Sequence, residues 1–162
     1  MKAIKILNNQ GIKNIKFIVM GDGPLKDDFE KFAKEKHINC EFTGRLEYEK
    51  MVGLLCSCDI AVNPIKKGSA GSIINKVGDY AMAGIAVVNT QASLEYKEIV
   101  EKYKIGYNSS DNDLSDLVVK MKRLIKNKKL RDEMGRNNRN LAEEKFDRKK
   151  TYNQIVKIIE GN

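Results

Sequence analysis

The chain has 162 residues, 41% hydrophobic and 32% charged, with a net charge of +8. That balance fits one globular domain able to bury a core and excludes a disordered chain. The longest apolar run, Ile85-Ala86-Val87-Val88, is far short of a membrane span, and the opening Met1 to Leu7 reaches polar Asn8-Asn9-Gln10 too soon for a signal peptide.

In chain order, Met1 to Asn9 reads as a helix ended by Gly11. Ile15 to Met20 is a short β-rich run that enters the turn Gly21-Asp22-Gly23-Pro24. Leu25, Phe29, Phe32 and Ala33 then recur at helical spacing, and His37 falls at the end of that helix, where its partial charge would face the helix dipole. Cys40 to Thr43 is a second strand, closed by Gly44, and Tyr48, Met51, Val52 and Leu55 mark the next helix. Asp59 to Asn63 is a third strand, stopped by Pro64. After the loop Ile65 to Gly71, a helix is expected from Ser72 to Ala83, with Gly84 ending it. Ala86 to Asn89, a helix from Leu94 to Tyr103 and a short strand at Ile105 to Tyr107 continue the alternation. Strands alternating with helices imply an α/β fold: a Rossmann-like parallel sheet with right-handed crossovers and helices on both faces.

The remainder is a helical tail with three apolar stripes: Leu114 to Ile125, then Leu130, Met134 and Leu141, then Tyr152, Ile155, Val156 and Ile159 after a polar break at Phe146 to Lys150. The third stripe needs a cover, either the domain's own sheet or another domain. Much of the positive charge is also late, from Lys120 to Arg139. It reads first as a solvated helix face and second as a surface attracted to anionic membrane. Nucleic acid is not expected, because aromatic side chains are not interleaved with this cluster as stacking platforms. Cys40, Cys56, Cys58 and the single His37 make no metal pattern and read as reduced thiols of a cytoplasmic protein.

In an open parallel sheet, ligands bind outside the carboxyl ends of the strands. Three glycine-bearing turns lie there: Gly21 to Pro24, Gly44-Arg45, and Lys66 to Ser72. In the third, Gly68 and Gly71 permit close backbone approach, Ser72 is the expected N-cap, and Lys66 and Lys67 add positive charge. Unpaired N–H groups at the helix start would favour a diphosphate. A solvated glycine loop fits the same residues equally well. Gly21-Asp22-Gly23 is not a dinucleotide fingerprint, since the third glycine position holds Lys26. No Gly-x-Ser-x-Gly is present, His37 has no evident partner, and no catalytic residue can be assigned.

Four segments in order carry a resemblance: Phe17 to Pro24, Phe42 to Leu46, Cys58 to Pro64, and Lys76 to Val88 with its Ala81-Met82-Ala83-Gly84. Together they resemble the C-terminal half of a GT-B fold, the donor-binding domain of retaining glycosyltransferases of the family 4, or group 1, type. The resemblance implies that residues 1–162 form a single nucleotide-sugar-binding domain, incomplete at its N-terminus. It implies a UDP- or GDP-linked donor and no cofactor or metal. In that family an acidic residue before the Ala-Met-Ala-Gly-like segment bonds the ribose; Asp79 holds that place, one methylene shorter than the usual glutamate. Gly21, Gly23 and Gly44 to Leu46 (Gly44, Arg45, Leu46) would line the donor site, with the latter facing the base. Lys67, Gly71, Ser72, Ile73, Ile74 and Lys76 would surround the diphosphate.

The family's first glutamate, eight residues before Asp79, is replaced by Gly71. The acceptor-binding domain and the opening strand of this half, with its phosphate-binding loop, have no counterpart, and the helix at 148–160 would cross onto the acceptor domain. The expectation is a domain that binds donor but turns over little alone. A subunit of a split glycosyltransferase, and a non-catalytic nucleotide-binding or membrane-surface domain, are the alternatives. Placement is expected in the cytoplasm, with peripheral contact at the inner membrane face.

Overall fold

The computed structural model describes residues 1–65, 68, 73–110 and 112–161. Helix α1 (Lys2–Asn9) leads into β1 (Phe17–Met20), α2 (Lys26–Glu35), β2 (Cys40–Gly44) and α3 (Tyr48–Cys56). Then follow β3 (Ile60–Asn63), α4 (Asn75–Ala83), β4 (Ala86–Asn89), α5 (Leu94–Lys102) and β5 (Gly106–Asn108). The tail is α6 (Leu114–Lys126), α7 (Lys128–Leu141), a π-helical turn (Ala142–Phe146) and α8 (Arg148–Glu160).

Every strand pairing is parallel, as the alternation requires, but the strands form two hydrogen-bonded sheets. β1 pairs with β2, Phe17 opposite Cys40 and, after a bulge at Val19/Met20, Met20 opposite Gly44. β4 lies between β3 and β5, and the register sets Asn63, Asn89 and Asn108 side by side. β4 is buried along its whole length, which explains why Ala86-Val87-Val88 shows no polar alternation.

The helices fall on two faces. On one, Ala3, Ile4 and Leu7 of α1, Ala33 of α2, and Val118, Met121 and Leu124 of α6 pack with Ile60, Val62, Ala86 and Val88. On the other, Met51 and Leu55 of α3 and Tyr80 and Ala83 of α4 pack with Met20, Ala61 and Val87. Beside them Val77, Tyr96, Val100, Ile105 and Leu141 form a further apolar cluster. Because the β1-to-β2 crossover runs over the first face and the β3-to-β4 crossover over the second, right-handedness makes the sheet grow in opposite directions from the middle. The order is therefore β2-β1, then β3-β4-β5, with the point of reversal between β1 and β3.

Three expectations shift. The fourth helix begins at Asn75, with Ile74 at the cap position in extended backbone, so the cap expected at Ser72 falls three residues before the helix. His37 lies beyond the end of α2, at φ 51°, where Ile38 N–H reaches Ala33 O at 2.9 Å. It occupies the left-handed position that commonly follows a helix rather than its last turn. The stripe on α8 is not covered by the domain's own sheet: Ile158 and Ile159 are each 78% exposed.

Candidate functional site

The carboxyl ends of the strands, around the reversal between β1 and β3, are where an open α/β sheet takes its ligand. Gly21 and Gly44 close β1 and β2 together: Gly21 N–H donates to Gly44 O at 2.9 Å. Both lie at positive φ, +133° and +67°, where a side chain would be strained. Thr43 Oγ1 donates to Gly44 O at 3.0 Å and fixes the same corner. Gly23 N–H donates to the Asp22 carboxylate at 2.9 Å, folding the turn on itself. Arg45 and Gly23 are exposed and Leu46 is half-buried, so these three stand at the rim.

On the α4 side, Ile73 and Ile74 are half-buried against the Val77 and Leu141 cluster, which seats the helix start. Lys76 is exposed on the first turn, and that turn carries no acidic residue, leaving its N–H end free of a competing carboxylate. Asp79 is half-buried one turn on, and its Oδ1 accepts from Tyr48 Oη at 3.2 Å. That bond joins the first residue of α3, just after the Gly44 corner, to α4. The structure thus brings Gly21, Gly44 and Asp79 to the same end of the sheets. Lys67, Gly71 and Ser72 lie outside the described residues.

Beneath this rim lies a polar layer that pattern reading missed. Asn63 Nδ2 donates to Asn89 Oδ1 at 3.0 Å and to Gln91 Oε1 at 3.2 Å, and Asn89 Nδ2 donates to Asn108 Oδ1 at 3.0 Å. Thr90 Oγ1 donates to Ile65 O at 3.0 Å, pinning the start of the β3–α4 loop onto the end of β4. Asn63, Asn89 and Gln91 are fully buried. One signal was available: an asparagine ends each of three successive strands. Tyr48 was read only as a member of an apolar helix stripe, yet it is 66% exposed and bonded to Asp79. Burial, and secondarily the Asp79 carboxylate, push the Tyr80 phenol up to about 12. Among the described residues no cluster of metal-ligating side chains occurs, and no helix is long and apolar enough to cross a membrane.

The architecture has solved counterparts. WaaG, a glycosyltransferase involved in lipopolysaccharide biosynthesis, matches 99% of this chain at 19% identity and a TM-score of 0.77, over 42% of its own length. HepE of Anabaena, solved in complex with UDP, matches the whole chain at 15% identity and a TM-score of 0.81, over 45% of its length. The fold is that of the C-terminal half of a GT-B glycosyltransferase. In sequence, the chain is 27% identical over 149 residues to an uncharacterized glycosyltransferase of Methanocaldococcus jannaschii, covering 91% of this chain and 37% of that protein. It is 24% identical over 151 residues to the sulfoquinovosyl transferase of Arabidopsis thaliana, covering 90% of this chain and 28% of that one. The chain thus spans well under half the length of these relatives. The family described as "Glycosyl transferases group 1" matches residues 1–141, and the chain belongs to it.

Proposed function

We propose that this domain binds the nucleotide diphosphate of a sugar donor at the carboxyl ends of β1, β2 and β3. The whole enzyme, in this reading, passes the sugar to a glycan or lipid-linked acceptor with retention of configuration. The observation that carries the reading is the placement of Asp79: a half-buried carboxylate on α4, oriented by Tyr48, at the same end of the sheets as the Gly21 and Gly44 corners. A carboxylate there accepts hydrogen bonds from ribose hydroxyls, while the α4 start and Lys76 favour the phosphates. The likeness to HepE, which was solved with UDP, supports a uridine donor; a guanosine donor fits the same parts. The loop with Lys67, Gly71 and Ser72 is assigned to the diphosphate, and the backbone from Gly44 to Leu46 to the base. No metal or cofactor enters this reading, since N–H donors and lysines supply the charge stabilisation.

The exposed face of α8, with Tyr152, Ile155 and Ile159, is assigned to contact with an acceptor-binding domain, and the basic helices α6 and α7 to an anionic membrane surface at the cytoplasmic side. Calorimetric titration with UDP, UDP-glucose, GDP and GDP-mannose tests the donor site. Saturable binding by one base class is expected. No heat with any of the four at millimolar ligand would overturn it.

A further inference from the structure

The two sheets end on each other at unpaired edges. In a parallel ladder, alternate residues aim their N–H and C=O at the same neighbour. Phe17 N–H donates to Asn39 O, so Phe17 and Val19 face β2, and Ile18 and Met20 face the opposite edge of β1. Thr90 N–H donates to Asn63 O, so Ala61 and Asn63 face β4, and Ile60 and Val62 face the opposite edge of β3. The crossover handedness sets these two inner edges toward each other, yet among the described residues no ladder joins β1 to β3. β1 is apolar throughout but only half-buried along its four residues, whereas β4, with a neighbour on each side, is wholly buried.

We propose that the slot between β1 and β3 receives an extended apolar polypeptide strand, parallel to both. The occupant's chemistry follows from the walls. One side offers Ile4, Leu7 and Val62, the other Met20, Leu55 and Ala61, so both faces of the incoming strand meet apolar side chains. It carries aliphatic, β-branched residues without polar alternation, spans about four residues to match its neighbours, and has no proline, because each residue must donate to one edge or the other. Its carboxyl end emerges between the Gly21 corner and Asn63, so the residues that follow it reach the candidate site. Filling the slot joins the two sheets into one six-stranded sheet around the existing core, a strand addition in which main-chain bonds give affinity and both walls give selectivity.

The test is amide hydrogen exchange by NMR on the purified chain, with and without the probe peptide acetyl-Lys-Lys-Val-Ile-Val-Val-Ile-Gly-Lys-Lys-amide. A control peptide carries proline at the central valine. Alone, the chain should show fast exchange at Ile18, Met20, Ile60 and Val62, and slow exchange at Val19. Saturating probe should slow the four inner-edge amides at least about tenfold, as ladder bonds do, and the proline peptide should not. The slot proposal is overturned if those amides are already as slow as Val19 in the monomeric chain, if the probe leaves them unchanged, or if the proline peptide protects them equally. Protection that rises with protein concentration alone would assign the edges to a second copy and also overturn it. None of these readouts involves nucleotide, so the donor-site reading is decided separately.

Discussion

Asn89 Nδ2 donates to Asn108 Oδ1 at 3.0 Å while Asn89 Oδ1 accepts from Asn63 Nδ2 at the same distance, which makes Asn89 the middle rung of a ladder across three strands. The amide orientations are not arbitrary. Asn108 Nδ2 faces Lys97 O and the Glu101 carboxylate, which only accept, and Gln91 N–H, which only donates, faces Asn89 Oδ1. The chain of donors leaves Asn63 Oδ1 buried with no partner among the described residues. Replacing Asn89 by Leu strands Gln91 N–H and Asn108 Oδ1, and should cost about 3 kcal/mol, since each buried orphan costs roughly 1–3 kcal/mol. Asn63→Leu removes a residue that already holds one unsatisfied oxygen and should cost less than half as much. Urea unfolding of the two variants checks the order, and equal losses would mean that the ladder is not a unit.

Gly106 and Gly53 should respond to alanine in opposite directions. A Cβ on Gly106 would lie 1.9 Å from Val87 O, in backbone that cannot yield without parting β4 from β5. Gly106→Ala should abolish cooperative unfolding or cost well over about 3 kcal/mol, the upper range for overpacking. Gly53 is exposed within α3 with nothing within 4 Å of its Cβ position. Gly53→Ala should stabilise by about 0.5–1 kcal/mol through helix propensity alone. Thermal melts followed by circular dichroism separate the two outcomes.

What the sequence disclosed, and what it withheld, follow from range. The period-2 and period-3.6 patterns are local, so Ala86 to Asn89 appears in the structure with the expected bounds and Tyr48 to Cys56 as the expected helix. Glycines 21 and 44 were legible as turn residues because their positive φ is a local demand. Parallel pairing followed from alternation, but the break between β1 and β3 did not, since strand adjacency depends on the face each crossover takes. The Asn63-Asn89-Asn108 ladder and the Tyr48–Asp79 bond link residues 19 to 31 positions apart, and no local pattern encodes them. The start of α4 was placed early because Ser72 is a better cap than Ile74 by propensity, and the packing of Ile73 and Ile74 against Leu141 outweighs that preference.

Tyr80 predicts an alkaline limit. Burial raises its phenol from an ordinary value of 10.0 to about 12. The fold therefore favours the protonated form. Its contribution is fully present below pH 10, where both states are protonated, and declines as pH rises toward 12 because the unfolded chain sheds the proton first. Tyr96, raised in the same sense by burial and by Tyr80, adds to the slope. Tyr80→Phe should flatten the fall in urea midpoint between pH 10 and 12 while leaving the neutral-pH midpoint nearly unchanged. An unchanged slope in the variant would show that Tyr80 does not carry it.

Asp79 and Tyr48 separate recognition from stability. Asp79→Ala removes the carboxylate assigned to the ribose and should weaken binding of the preferred nucleotide diphosphate about tenfold, a loss near 1.4 kcal/mol. Tyr48→Phe leaves the carboxylate but removes the hydroxyl that orients it at 3.2 Å. Because Tyr48 is largely exposed, the unfolding midpoint should barely move, and the affinity should fall by a smaller factor than for Asp79→Ala. Asp79→Glu restores the acceptor with one more methylene and should retain most of the affinity. Calorimetry on the three variants, beside their melting curves, reads both quantities. Should Asp79→Ala bind as tightly as the parent chain, the ribose contact lies elsewhere on the rim, and Tyr48–Asp79 is a strut between α3 and α4 only.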